Sequence, residues 1–159
     1  MTDIVFRQAR PDDEAAIQEI VFSVLAEYDL LPDPGSTDAD IRDIQASYLA
    51  RGGTFRVAVD TSGRLVGCGG LYPLSDHEGE IRKMYLVPAV RGQGLGRALL
   101  GDLVGFAKTR GYRRLVLETA SVLKEAIGLY RSFGFVETPR EHISCRCDQG
   151  FSLDLIGNE

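Results

Sequence analysis

Histidine and cysteine are scarce in this chain: two and three residues among 159. Cys68, Cys145 and Cys147 form no CxxC pair, and His77 and His142 stand alone. That excludes a zinc cluster and a disulfide framework, so no metal site is expected and a reducing, cytoplasmic compartment is. Long apolar runs are missing too. None approaches the ~18 residues of a membrane span, and Met1-Thr2-Asp3-Ile4 has neither the basic start nor the apolar stretch of a targeting segment. Positive charge is not in excess: 18 Lys and Arg face 23 Asp and Glu, for a net charge of −5. Such a balance disfavours nucleic acid or an anionic membrane as partner. Internal repeats and low-complexity segments are also absent.

What is present suits one packed domain spanning 1–159. Apolar residues make up 44% of the chain, and 18 of its 159 residues are glycine. That is about 11%, above the usual ~7%, and suggests tight turns or backbone that approaches something closely.

The expected elements run as follows. Ile4 to Ala9 alternates apolar and polar residues as a first strand. Pro11-Asp12-Asp13-Glu14 opens a helix, with proline in the first turn and acids at the positive dipole end. Ile17, Ile20, Val21, Val24 and Leu25 give it a buried face. Leu31-Pro32-Asp33-Pro34-Gly35 breaks it, and Ser36-Thr37-Asp38 is placed to cap a second helix carrying Ile41, Ile44, Tyr48 and Leu49. Strands at 55–59 and 65–72 flank the turn Asp60-Thr61-Ser62-Gly63, and 80–87 is a third strand ended by Pro88. A helix with Leu95, Leu99, Leu103 and Phe106 on its stripe follows. Then come a strand at 114–118, a helix at 124–133, re-entry at Phe135-Val136, and a last strand at 151–155. Antiparallel character early and strand–helix alternation later predict a mixed α/β sheet.

The informative stretch is Arg91-Gly92-Gln93-Gly94-Leu95-Gly96, between a strand and a helix. Alternating glycines expose successive N–H groups at the positive end of a helix dipole, which makes a phosphate cradle. A Walker loop needs Gly-Lys-Ser/Thr, but Arg97-Ala98 follows Gly96. The dinucleotide fingerprint needs a third small residue where Leu99 stands. What remains is Arg91-x-x-Gly94-x-Gly96, with more glycine than a tight turn requires.

Met84-Tyr85-Leu86-Val87-Pro88 and Arg91 to Leu100 resemble the acetyl-CoA-binding motif of the GNAT N-acetyltransferases. Leu117-Glu118-Thr119, Ala126 to Tyr130 and Phe133-Gly134-Phe135 are similar to that family's late strand–helix–strand block. The resemblance covers roughly residues 80–136. It implies a largely antiparallel sheet of six to seven strands with about four helices, splayed at its central strands. It implies acetyl-CoA as co-substrate, its pyrophosphate on the N–H groups of Arg91, Gly92, Gln93, Gly94, Leu95 and Gly96. The pantetheine arm would pair with Met84, Tyr85 and Leu86, and an N–H near Leu86 would polarise the acetyl carbonyl. Tyr130 matches the tyrosine that protonates the leaving thiolate. Leu123 stands where the family often has a cofactor-contacting Asn, a contact that leucine cannot make and that Ser121 or Thr119 would have to replace. Family members are often dimers, so a homodimer is an expectation.

An alkyl amine has a pKa of about 10 and must lose a proton before attack. Glu80, eleven residues before Arg91, is the candidate base, and pairing with Arg82 or Lys83 is the alternative. Glu118 is expected to cap the next helix or form a surface ion pair, with a place facing the cleft as the alternative. Arg82 and Lys83 are expected on opposite strand faces, one holding a substrate carboxylate or lying on a solvated edge. Acids from Glu27 to Asp43 would favour a cationic amine, with capping expected of Asp33 and Asp38. His77 and His142 read as solvated, Cys145 and Cys147 as structural, Cys68 as core. The expected activity is direct acetyl transfer to a primary amine of a small-molecule or peptide acceptor, since no Cys has an adjacent His or Lys. The alternatives are a non-catalytic acetyl-CoA sensor, a longer acyl-CoA donor, and a toxin acting on charged tRNA, which the acidic charge disfavours.

Overall fold

A computed structural model describes residues 3–33, 35–139 and 146–155. The expectations for Pro34, His142 and Cys145 lie outside these residues. Strand β1 is Val5–Gln8. A 3-10 turn at Pro11–Asp13 leads into helix α1, Glu14–Glu27, which buries Ile17, Ile20, Val21, Val24 and Leu25, the stripe read from the spacing. The second helix departs from expectation. It is a 3-10 turn at Ala39–Arg42 followed by a short helix α2, Ile44–Ser47. Its cap is Asp43, whose carboxylate accepts from the Ala46 N–H at 3.1 Å. Ile41, Ile44 and Tyr48 are nonetheless fully buried, as their spacing required.

Strands β2 (Thr54–Val59) and β3 (Leu65–Pro73) form the expected hairpin. Asp60 Oδ1 accepts from the Ser62 and Arg64 N–H groups at 2.9 and 3.0 Å and pins that turn. Then come β4 (Glu78–Leu86), α3 (Leu95–Thr109), β5 (Arg114–Thr119), α4 (Lys124–Phe133), β6 (Val136–Glu137) and β7 (Gln149–Asp154). The strands form one seven-stranded sheet in the order β1-β2-β3-β4-β5-β7-β6. Every neighbouring pair is antiparallel except β4 with β5. The core lies in two main clusters. One gathers α1 with Tyr48, Phe55 and Val57, and the other gathers α3 with Leu115, Tyr130 and Phe151. Both helices pack on β3 and β4, α1 within the first cluster and α3 within the second.

Two irregularities in β4 make the site. Its parallel pairing to β5 runs from Glu78↔Arg114 to Ile81↔Leu117 and stops there. Beyond that point residues 82–86 part from β5 and open the sheet, the splay expected at the central strands. On its other side, β4 pairs Tyr85 with Cys68 but Arg82 with Gly70. Three steps on β4 therefore match two on β3, which is a β-bulge. Lys83 sits in it with φ +56°.

Candidate active site

The splay is the floor of a cleft of about 760 Å³. Its wall on one side is the loop before α3. Gly92 and Gly94 hold φ of +77° and +80°, a region that other residues enter only with strain. Gly96 is placed for a different reason, a close approach to the neighbouring helix. A Cβ there would come within 3.2 Å of Leu129 on α4. Among the described residues, the N–H groups of Gly92, Gln93, Gly94, Leu95 and Gly96 donate to no protein acceptor. The first turn of α3 carries no acid. A run of free donors at an acid-free helix start fits a diphosphate. Arg91, Gly92, Gly94, Leu95 and Gly96 line the cleft, and Gln93 does not. The Arg91 side chain turns to Glu27 on α1, at 2.5 and 2.9 Å, and to the carbonyl of Leu86.

Met84, Tyr85 and Leu86 line the slot, with Glu80 and Glu118 on either side of the point where the strands part. Glu80 is buried, and its Oε1 accepts from Arg82 Nε at 2.5 Å. Glu118 lines the cleft, the alternative to a cap or a surface pair. Tyr130 projects from α4, its ring packed edge-on against Phe135 at 5.9 Å and tilted on Phe151 at 6.5 Å. It lines the cleft, and no described hydrogen bond uses its hydroxyl. Burial, reinforced by Tyr85 and Cys147, pushes its phenol well above the usual range, so it stays protonated.

Residues 20–135 match the Acetyltransferase (GNAT) family. The chain belongs to the GNAT acetyltransferase family. It is 39% identical over 144 residues to YjgM, an uncharacterized N-acetyltransferase of Escherichia coli K12, covering 87% of this chain and 83% of that one. Human N-acetyltransferase 8B is 33% identical over 104 residues, 62% of this chain and 46% of that protein, so the match spans about half its length. An acetyltransferase of the GNAT family from Staphylococcus aureus Mu50 superposes with a TM-score of 0.91 at 21% identity, covering 96% and 99% of the two chains. The yncA protein of Salmonella typhimurium, solved with its cofactor acetyl-CoA, does so with a TM-score of 0.73 at 26% identity, covering 96% and 94%.

The acceptor side of this GNAT acetyltransferase corrects three expectations. Asp38 does not cap a helix. It is fully buried, grips Arg146 through two bonds of 2.8 and 2.6 Å, and lies 3.4 Å from Lys83 Nζ. Burial works against its charge. The Arg146 bond, the Asp33 N–H and the nearby cations outweigh that, and its carboxyl titrates below the usual range. Second, five of the six acids of 27–43 are engaged within the protein and form no open anionic wall, while Asp29 is exposed. Glu27 holds Arg91, Asp40 accepts from Tyr48 and lies 3.1 Å from Lys83, Asp33 accepts from Thr37, and Asp43 caps α2. Third, Arg82 and Lys83 do not face opposite ways. Lys83 reaches Asp40, which accepts from Tyr48, and Arg82 stacks on Tyr72, whose ring packs on the same Tyr48. The bulge adds one residue between them and β3, and so resets the alternation.

The sequence reading missed Arg146, which lines the cleft although 108 residues separate it from its partner Asp38. No local pattern marks such a pair. Leu123 stands at the start of α4 without a side-chain cap and lines the cleft. Ser121 does not replace the missing amide, because its hydroxyl and N–H are held by Asp148 at 2.7 and 2.8 Å. Cys68 is core, as expected. It donates to the Lys83 carbonyl, and burial pushes its thiol up to about 12.

Proposed function

We propose that residues 1–159 act as one acetyl-CoA-dependent N-acetyltransferase domain. It transfers acetyl directly to a primary amine of a small molecule or peptide in the cytoplasm. The observation that carries the reading is the run of five free N–H groups at the head of α3, opening onto a slot where β4 has lost its parallel partner. Acetyl-CoA, when bound, supplies the acyl group as a thioester. The loop of 91–96 binds its diphosphate through backbone donors, helped by the positive end of α3. The edge of 84–86 turned towards β5 orients its amide-bearing arm by strand-like pairing, and an N–H near Leu86 polarises the acyl oxygen. Glu80 takes the proton from the amine, and Tyr130 gives one to the departing sulfur. Tyr130 suits that role because burial keeps its phenol protonated. Cys68 is unsuited to carry an acyl group, because its buried thiol is a thiolate only near pH 12.

The test is a panel of primary amines incubated with acetyl-CoA, read by free-thiol release and by mass of the acetylated product. One thiol released per amine acetylated is the expected result. CoA binding without release from any amine overturns the transferase reading in favour of a sensor.

A further inference from the structure

One cation in the cleft is held as if for a ligand. Of the basic residues on the acceptor side, Lys83 is surrounded by Asp38, Asp40 and the Thr37 carbonyl. Arg146 is locked to Asp38 by both terminal nitrogens. On the diphosphate side, Arg91 is spent on Glu27 and Leu86, and Arg97 donates to Ser132. Arg82 differs. Its guanidinium stacks on the Tyr72 ring, with the carbon 3.7 Å from the centroid, and is fixed at one edge by the Nε bond to Glu80. Its two terminal nitrogens enter no described hydrogen bond or ion pair, its side chain is 29% exposed, and it lines the cleft. A guanidinium stacked on one face and clamped at Nε has lost most of its freedom before any ligand arrives. Its open fork has the planar two-donor geometry that matches a carboxylate.

The position of the fork limits the ligand further. Arg82 shares its fixed edge with Glu80, the group that takes the amine proton in the reading above, on which this inference rests. Glu80 and Arg82 together form a dipole, negative at Glu80 and positive at the fork. The surrounding charges of Lys83, Arg146, Asp38 and Asp40 balance among themselves. A zwitterion laid antiparallel to that dipole places its amine at Glu80 and its carboxylate at Arg82. The fork opens away from the Nε edge that holds Glu80, so a ligand that reaches both must span the guanidinium.

We propose that Arg82 is the carboxylate-recognising residue of the acceptor site, and that the acceptor is a free amino acid. A peptide N-terminus, whose nearest carbonyl is an uncharged amide, is disfavoured.

The test compares L-leucine, L-phenylalanine, β-alanine and 4-aminobutyrate with their amides, in the full chain. Two readouts are taken: kcat/KM by thiol release with acetyl-CoA, and calorimetric binding to protein saturated with CoA. For at least one pair the acid should exceed its amide by about tenfold to a hundredfold in both, the scale of a charge-assisted bond. Arg82→Gln should bring that ratio close to one, through KM, and Arg82→Lys should leave it in between. A loss transmitted through Glu80 would instead lower acid and amide alike and leave their ratio unchanged. Amides used and bound as well as acids, or an acid-to-amide ratio that survives Arg82→Gln, would overturn the proposal. Selective binding of acids without any thiol release would leave the carboxylate site standing and refute the transferase reading. Release from acids and amides alike would do the reverse.

Discussion

Replacing Asp38 by Asn tests whether the acceptor wall is held by buried charge. The carboxylate is fully buried and faces two cations, Arg146 and Lys83, which are themselves almost entirely buried. Asparagine keeps the volume and can still accept from the Asp33 N–H, now 2.7 Å from Asp38 Oδ2. What it removes is the charge, so Arg146 is left in the interior without its partner. Removing one member of a buried pair costs about 3–5 kcal/mol, because the other is left uncompensated. For a chain of this size each kcal/mol moves Tm by about 2–4 °C, so a fall of about 6–20 °C is expected at pH 7. The pH dependence follows from the lowered carboxyl pKa. The stabilisation is fully present above about pH 4, the unfolded value, and is lost as pH falls through the folded one. The Tm gap between wild type and Asp38→Asn should therefore close in acid, because wild-type Asp38 becomes neutral as well. Adding Arg146→Met should recover much of the loss, since an apolar side chain of similar length needs no counter-charge. Melting curves by circular dichroism from pH 7 down to pH 3 provide the measurement. A gap under 2 °C at pH 7, or one constant across the whole range, would refute the reasoning.

Tyr130→Phe keeps the ring against Phe135 and Phe151 and removes the hydroxyl. It should lower kcat by roughly 10²–10⁴ with Tm and CoA affinity unchanged, and an unchanged kcat would make Tyr130 a packing residue only. Gly94→Val places a β-branched residue at φ +80° in open space, so about 1–2 kcal/mol of strain is expected but no clash. CoA affinity should fall at least tenfold by calorimetry while the protein stays folded, and intact affinity would move the diphosphate elsewhere. Glu80→Gln should lower kcat/KM at neutral pH and partly recover in alkali, where free amine is plentiful. A profile parallel to wild type would remove Glu80 as the base and direct attention to Glu118.

The glycine loop was legible because its backbone dictates residue type. Two positions need a left-handed φ, which favours glycine, and at a third a Cβ would crowd Leu129. The helical stripes of α1 and α3 were legible for a similar reason, since burial imposes a period that local sequence must keep. The bulge at Lys83 was not. A strand with one extra residue still alternates on either side of it, and nothing in EIRKMYLV marks where the count slips. Asp38 was misread because a Ser-Thr-Asp run is a common cap, while its true partners, Lys83 and Arg146, come from β4 and from the segment before β7. Glu118 stayed open between a cap, a surface pair and the cleft because its environment depends on where β5 loses β4, a property of the pairing and not of either strand alone.

The splay has one more consequence, for solubility. Strands with open N–H and C=O groups are templates for adding other chains, and proteins keep such edges short or covered. The outermost strands of this sheet, β1 and β6, are only four and two residues long. The longer stretch without a partner on one side, 82–86 of β4, is an edge in the middle of the sheet. It lies at the bottom of a cleft flanked by residues of α1, α3 and α4. A narrow, flexible molecule can lie along it, whereas the flat edge of another sheet is kept out by those helices. The backbone that makes this surface adhesive is thereby hidden from other copies of the chain, so strand-like capture of a ligand does not carry the usual hazard of aggregation.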